Sequence, residues 1–586
     1  MKSIQFSYLL VLNFLLLSAC IKNNKKLIDT SYESSNYTNE IKSYRLSPKK
    51  ITWLSDTTLT QVKGADRLLQ EGTGQALLST DTFCYLRSSE VSNASILLDF
   101  GKEIHGGIEI VTGQYPKNTA VKIRLRFGES VGEAMAELGG ENNATNDHAI
   151  RDLEVLVPWL GSINIGDTGF RFVRIDLLDK DVDFYIKEVN AIAKIRDIEY
   201  KGSFNSSDSL LNKIWDVGAY TVHLNMQNYL WDGIKRDRLV WVGDMHPEVR
   251  TITSVFGANP IVPKTLDFAK NSTPPDEWMN GISSYSLWWI IIQYEWYMYT
   301  GELDYLRQQE EYLWDLVTHL SNFADKEQGE LLDGMRFLDW PTKDNKNAVH
   351  AGLNSLFKLA MKKANAIGNY LNNKKLIDKS NEIYIKLNAH TPASTNVKQS
   401  QALMAISGNR SPDIKEALKQ NGSEGISAFY GYYVLEALGE FGDIEFALNV
   451  IREYWGGMLK MGATTFWEEF ELNALVESEP IDIIPTGDKM NYHAETGDHC
   501  YIGYRRSLCH GWASGPTPWL TKFVLGIEVL APGCKKIKVS PNLGNLEWVE
   551  GVFPTPYGPL KVRHERNEDG KIVSQIEAPE EIEISQ

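Results

Sequence analysis

Eighteen residues, WDGIKRDRLVWVGDMHPE from Trp231 to Glu248, concentrate four carboxylates, three cations, one histidine and two tryptophans. Their apolar positions fit neither the helical nor the strand period; Gly233 and Gly243 interrupt any helix, and Pro247 discourages one beyond them. The stretch reads as a loop or helix mouth with an acidic, aromatic surface. A second acidic group, Glu468 and Glu469, follows Phe466 and Trp467 in MGATTFWEEFE, Met461 to Glu471. Alone, that segment reads as a solvated acidic turn. Together the two give separate carboxylate clusters, each bearing tryptophan, inside one helical region. Glycoside hydrolysis uses such a pair: one carboxylic acid protonates the leaving oxygen, and a carboxylate on the other face activates water or attacks carbon. The 16 tryptophans and 26 tyrosines lean the same way, because aromatic faces stack on sugar C–H faces, although core packing accounts for most of them.

The elements that must position these groups change character along the chain. At 586 residues, two to four domains are expected at roughly 150 residues each. ASILLDFGKEIHGGIEIVTG, AVKIRLRFGES and GFRFVRIDLL alternate apolar and polar residues between turn signals, which predicts an N-terminal β-sandwich over residues 48–200. From NSSDSLLNKIWDVGAYTVHL onward the period becomes 3.6, with Ser206, Ser207 and Asp208 as N-cap candidates. The helical region spans 201–527 and accommodates paired helices closing into an (α/α) barrel; an open solenoid fits the same periodicity. Within it, WWIIIQYEWYMY from Trp288 is too short to cross a membrane and reads as a buried helix. His350 reads as a satisfied structural histidine. Trp288, Trp289 and Trp340 are pocket-wall candidates with an equal claim to the barrel core. Residues 528–586, with short strands between Pro- and Gly-containing turns, predict a small C-terminal β domain.

A net charge of −16 and the lack of a basic stripe argue against nucleic acid as a partner. The start, MKSIQFSYLLVLNFLLLSAC, carries Lys2, a short apolar run and small residues before a cysteine, as a signal peptide does. LSAC resembles a bacterial lipobox, which implies cleavage before Cys20, lipidation of its thiol and a membrane contact through lipid alone. Residues 1–20 are then the leader and 21–47 a polar tether. The remaining cysteines, Cys84, Cys500, Cys509 and Cys534, form no metal-binding spacing, so neither an essential disulfide nor a structural zinc is expected.

Three segments together resemble one known family. DGIKRDRLVWVGD is similar to the signature loop of the bacterial α-L-rhamnosidases of glycoside hydrolase family 78, GATTFWE to their second signature, and SLCHGWASGPTPWL to a third. The resemblance covers nearly everything after the tether and implies an (α/α)6 barrel catalytic domain flanked by an N-terminal β-sandwich and a small C-terminal β-sandwich. By resemblance Asp237 takes the general-acid position and Glu468 that of the general base, with inversion at the anomeric carbon. Asp232 and Asp244 would bind sugar hydroxyls, Trp241 would face the deoxy-sugar's methyl group, and His510 would line the same pocket, with Trp340 added as a wall. The implied substrate is a rhamnose-containing oligosaccharide or glycoside at the bacterial envelope, with no cofactor or metal. Two positions depart from the pattern: Asp237 stands where the family usually has glutamate, and Val240 where it has glycine. Arg236 and Arg238 are expected to hold the loop, and Glu248 is a spare acid. The departures leave room for another sugar or uronide, or for a lipid-anchored protein that binds glycans without cleaving them.

Overall fold

The computed structural model describes residues 37–56, 60–393, 395–497 and 501–586. The leader and Cys20 lie outside the described residues. Tethering as far as residue 47 does not hold, because Ile41–Leu46 is already a strand paired antiparallel with Asp183–Arg196. Its half-buried alternation gives that segment a sheet edge to join, and the polar count of the surrounding stretch concealed it.

The N-terminal region is a nine-stranded sheet built on three long strands, Ser95–Thr112, Ser162–Leu177 and Asp183–Arg196. Ser95–Thr112 pairs with both of the others, and its register shifts between Asp99 and Ile104 and again between Gly106 and Ile108. Gly106 permits the close approach there: a Cβ on it would stand 2.1 Å from the Ile192 carbonyl oxygen. One face of this sheet forms an aliphatic and aromatic core. The alternation seen in the sequence suggests a wet opposite face, yet Asp99, Glu103, His105 and Glu109 are all buried. The helical region and neighbouring loops cover them. Arg171 binds Asp99 through two bonds of 2.8 and 2.9 Å, Arg45 binds Glu109, and Tyr220 from the first long helix donates to the Glu103 carbonyl at 2.7 Å.

The helical core begins at Ser209–Asn225, capped by Asp208, whose Oδ1 accepts from the Leu210 and Leu211 amides. Ser283–Thr300 is buried almost all round and stops at Gly301, whose φ of 72° ends the helix with an N–H bond to the Tyr297 carbonyl. Lys346–Leu371 packs against Ser283–Thr300, Lys374–Ala389 and Lys398–Ser407, and the chain returns through Gly431–Glu440 and Ile444–Lys460 to contact Ser209–Asn225. Pro247 does not prevent a helix: Met245–Val255 runs through it, because proline in a first turn loses only an amide that has no intrahelical partner there.

Two sheets close the C-terminus. Ile527–Ala531, Lys536–Val539 and Glu583–Ser585 form one. The other joins Trp548–Thr555, Gly558–Arg566 and Ile572–Glu577 to Ser203–Ser206, a strand from the stretch expected to open the helical region. Four residues give too short an alternation to stand out beside a helix cap. The architecture is thus an N-terminal sheet region, a long helical core and C-terminal sheets. Among the described residues no helix is long and apolar enough to cross a membrane.

Candidate active site

Main-chain hydrogen bonds bring the three informative sequence stretches together. Gly511 N–H donates to the Asp232 carbonyl at 2.8 Å, and Gly233 and His510 form an antiparallel bridge. His510 N–H donates to the Phe466 carbonyl at 2.9 Å, and Glu468 N–H to the Ser507 carbonyl at 3.1 Å. Residues 232–233, 466–468 and 507–511 therefore interlock before any side chain is considered.

The cations of the first stretch hold it in place. Lys235 is buried, with its ammonium 3.0 Å from Glu129 and 3.2 Å from Glu133 of the N-terminal region, and it donates to the carbonyls of Tyr504 and Arg506 at 2.7 and 3.0 Å. Glu129, Glu133 and His493 place ligand-type atoms within 4.8 Å of one another, so the lysine supplies the positive charge that such a cluster requires. Arg236 donates to Oε2 of Glu468 at 3.0 Å and lies over the Tyr501 ring. Arg238 donates to the carbonyls of Asp167 and His148 at 3.0 and 2.9 Å. Arg238 thus holds the loop, whereas Arg236 also ties it to the second acidic cluster.

The expected acids gather here. Glu468 is buried, not a solvated turn residue, and its Oε2 accepts from the Ser507 amide at 2.9 Å as well as from Arg236. Asp237 follows Arg236 in the chain and accepts from Trp241 Nε1 at 3.2 Å. Asp232 is buried and accepts from the Leu239 amide; burial pushes its carboxyl well above the ordinary range, His510 opposes this, and Asp237 and Asp244 add to it. Asp244 accepts from Tyr285 at 3.0 Å and stands 3.2 Å from His510 Nε2. Burial pulls His510 down, but the bond to Asp244 and the charges of Glu468, Asp244 and Asp232 outweigh it and bring the imidazole to about 9. Burial raises Asp244 too, against the bonds from His510 and Tyr285. The pair keeps its proton on the ring, so that the Asp244 carboxylate accepts from His510 Nε2–H and from the Tyr285 hydroxyl.

Glu248, the spare acid, is buried, and burial, with Asp244 and Asp232 adding to it, pushes its carboxyl well above the ordinary range. Gly511 makes room for it: a Cβ there would lie 1.6 Å from Oε1 of Glu248. Trp241 is half-buried, and an edge-to-face run leads from it through Tyr285 and Phe337 to the half-buried Trp340, with centroid spacings of 6.2, 6.4 and 5.0 Å. Trp288 and Trp289 belong to the core instead: Trp288 stacks on His246 and Tyr433, and Trp289 donates to the Leu266 carbonyl. His350 is a partnered histidine, between Glu330 at 2.7 Å and His390 at 3.2 Å.

Sequence reasoning passed over Lys235, Tyr285 and the acids Glu129 and Glu133. Only the S-x-x-E spacing of Ser130 and Glu133 gave a local signal, and it is a helix cap: Ser130 Oγ accepts from the Glu133 amide. His148, 3.1 Å from Oδ1 of Asp237, sits in the turn-rich NNATNDHAI and carries no signal at all.

Residues 199–390 match the bacterial alpha-L-rhamnosidase six-hairpin glycosidase domain, and residues 526–585 the bacterial alpha-L-rhamnosidase C-terminal domain. Among solved structures, a rhamnosidase of glycoside hydrolase family 78 from Bacillus sp. GL1 is 21% identical, with a TM-score of 0.69 over 89% of this chain and 55% of that one. The α-L-rhamnosidase from Dictyoglomus thermophilum is 17% identical, with a TM-score of 0.67 over 92% and 58%. A rhamnosidase from Klebsiella oxytoca with rhamnose bound is 17% identical, with a TM-score of 0.64 over 82% and 96%. At these identities the likeness fixes the fold, and this chain spans 55% of the Bacillus protein's length. No curated protein matches the sequence. Two stretches of the chain thus match bacterial α-L-rhamnosidase domains, and the chain shares the multidomain fold of the family 78 structures.

Proposed function

We propose that the protein is an exo-acting glycoside hydrolase that removes terminal α-L-rhamnose, or a closely similar sugar, with inversion. The observation that carries this reading is the pair of carboxylates gathered around one residue: Arg236 precedes Asp237 in the chain and binds Glu468 across the site. In the reaction Asp237 gives its proton to the glycosidic oxygen as the bond to the anomeric carbon breaks. Water attacks that carbon from the opposite face and loses its proton to Glu468, and solvent exchange restores both groups. Inversion requires roughly 6.5–9.5 Å between such carboxyls to seat the water. Asp232 and the Asp244–His510 pair supply buried hydrogen-bonding groups for sugar hydroxyls, and Trp241 and Trp340 supply apolar walls.

The test is kinetic. Glu468→Gln keeps shape but cannot accept the proton, so kcat on an α-L-rhamnoside falls by about 10²–10⁴-fold with rhamnose affinity little changed. A wild-type protein that binds rhamnose and hydrolyses no rhamnoside, indistinguishable from Glu468→Gln, makes it a glycan-binding protein instead. The reading extends to the N-terminus, where cleavage before Cys20 and lipidation tether the enzyme to the cell envelope. Cys20→Ala then releases the protein from membranes, and an unprocessed leader on the mature chain refutes the anchor.

A further inference from the structure

The N-terminal region reaches the candidate acid directly. Nδ1 of His148 lies 3.1 Å from Oδ1 of Asp237, an oxygen that is buried and makes no aligned hydrogen bond to any described residue. The other oxygen of that carboxyl is held by Trp241. His148 sits at φ 64° and Arg238 at φ 58°, and the two are joined by the bond from Arg238 Nη2 to the His148 carbonyl. Left-handed backbone at a side-chain-bearing residue is strained and persists where its surroundings over-determine it, which is typical of functional sites. Here both strained residues flank one carboxylate.

The far side of the ring is also occupied. Arg505 Nη2 is 3.3 Å from Nε2 of His148 and 2.8 Å from Asp147, whose own carboxylate is 3.6 Å from that nitrogen and beyond hydrogen-bond length. A guanidinium only donates, so Nε2 must offer its lone pair. A neutral ring then carries its single proton on Nδ1, the nitrogen 3.1 Å from Oδ1 of Asp237.

From this geometry we infer that His148, held as the Nδ1–H tautomer by Arg505, is a positioning residue that fixes the carboxyl plane of Asp237. The inference rests on the reading of Asp237 as the acid. It also gives the shorter acid a physical role: aspartate has one methylene less reach than glutamate, and a carboxyl held through one oxygen by Trp241, with the other in 3.1 Å contact with His148, is hindered from rotating away from the leaving oxygen. The loop that supplies the second clamp comes from outside the helical core.

Two measurements test this, and their failures are distinguishable. The first needs no activity. Nitrogen-15 NMR of histidine-labelled full-length protein, with the His148 signals identified by their loss in His148→Gly, should show Nδ1 protonated and Nε2 bare; a ring protonated on Nε2 alone overturns the inference, even if the protein proves inactive. The second compares leaving groups. His148→Gly removes the ring while tolerating the left-handed backbone, and His148→Asn also tolerates it and can return an N–H near the Nδ1 position. On an alkyl α-L-rhamnoside, kcat should fall at least about tenfold in His148→Gly, and on a nitrophenyl rhamnoside less than about threefold, with KM steady and His148→Asn recovering most of the loss. Equal losses on both substrates, or no recovery by asparagine, overturn the positioning role. Absence of wild-type turnover counts against the proposed activity, and the tautomer then decides the inference alone.

Discussion

Two regions of the helical core are built on different principles. Lys346–Leu371 and Lys374–Ala389 hold together through buried apolar side chains such as Leu356, Phe357, Leu376 and Ile383, with their charges outside. At the seam with the N-terminal sheet, burial falls on charges as well: Lys235, Arg236, Asp232, Asp244 and Glu468 all lie inside. The first region shows what packing alone needs. The second carries groups that are costly to bury and are kept by specific partners, and that contrast marks where chemistry is placed.

The largest effect should come from removing a buried cation at the seam. Lys235→Met leaves Glu129 and Glu133 facing each other without their ammonium. Breaking such a buried pair costs about 3–5 kcal/mol, so thermal unfolding should begin well below that of the wild type, and rhamnoside turnover should fall with it. A change under about 1 kcal/mol would show the seam to be no different from the outer hairpin.

A smaller, pH-dependent effect belongs to Asp244 and His510. With His510 raised to about 9 from its ordinary value, the stabilisation is complete below about pH 6.5 and fades as pH rises through about 9. The wild type should therefore lose on the order of 3 kcal/mol across that window, measurable by urea unfolding at several pH values. Asp244→Asn should flatten the profile; an unchanged slope would separate His510 from Asp244.

The smallest effect is expected on the outer hairpin. Glu382 pairs with Lys379 and Lys386 one turn away at the surface. Exposed pairs of this kind contribute roughly 0.3–0.5 kcal/mol each, so losing both in Glu382→Gln should shift unfolding by no more than about 1 kcal/mol. A larger loss would blur the contrast between the two regions.

The same contrast explains what the sequence made readable. Helical periodicity disclosed the outer helices because only burial acts on them, and the acid-rich stretches disclosed the site because their composition fits no ordinary element. Asp99, Glu103, His105 and Glu109 were not legible as buried, since strand alternation looks the same whether the polar face meets water or a charged seam. His148 and the Ser203–Ser206 strand escaped for a related reason: their roles depend on partners about 90 and 345 residues away, and no local pattern encodes such a distance.

The interlocking of residues 232–233, 466–468 and 507–511 through main-chain atoms has a consequence for how such a protein can change over time. Peptide groups are common to all residues, so the frame tolerates replacement of the side chains it presents wherever, unlike at Gly511, a Cβ has room. Length is another matter. Inserting a residue between Asp232 and Gly233, or inserting or deleting one between Phe466 and Glu468, would break the correspondence of donors and acceptors along the frame. Diversification of this site is therefore freer in letter than in spacing, so that new specificities are reached by substitution at constant length.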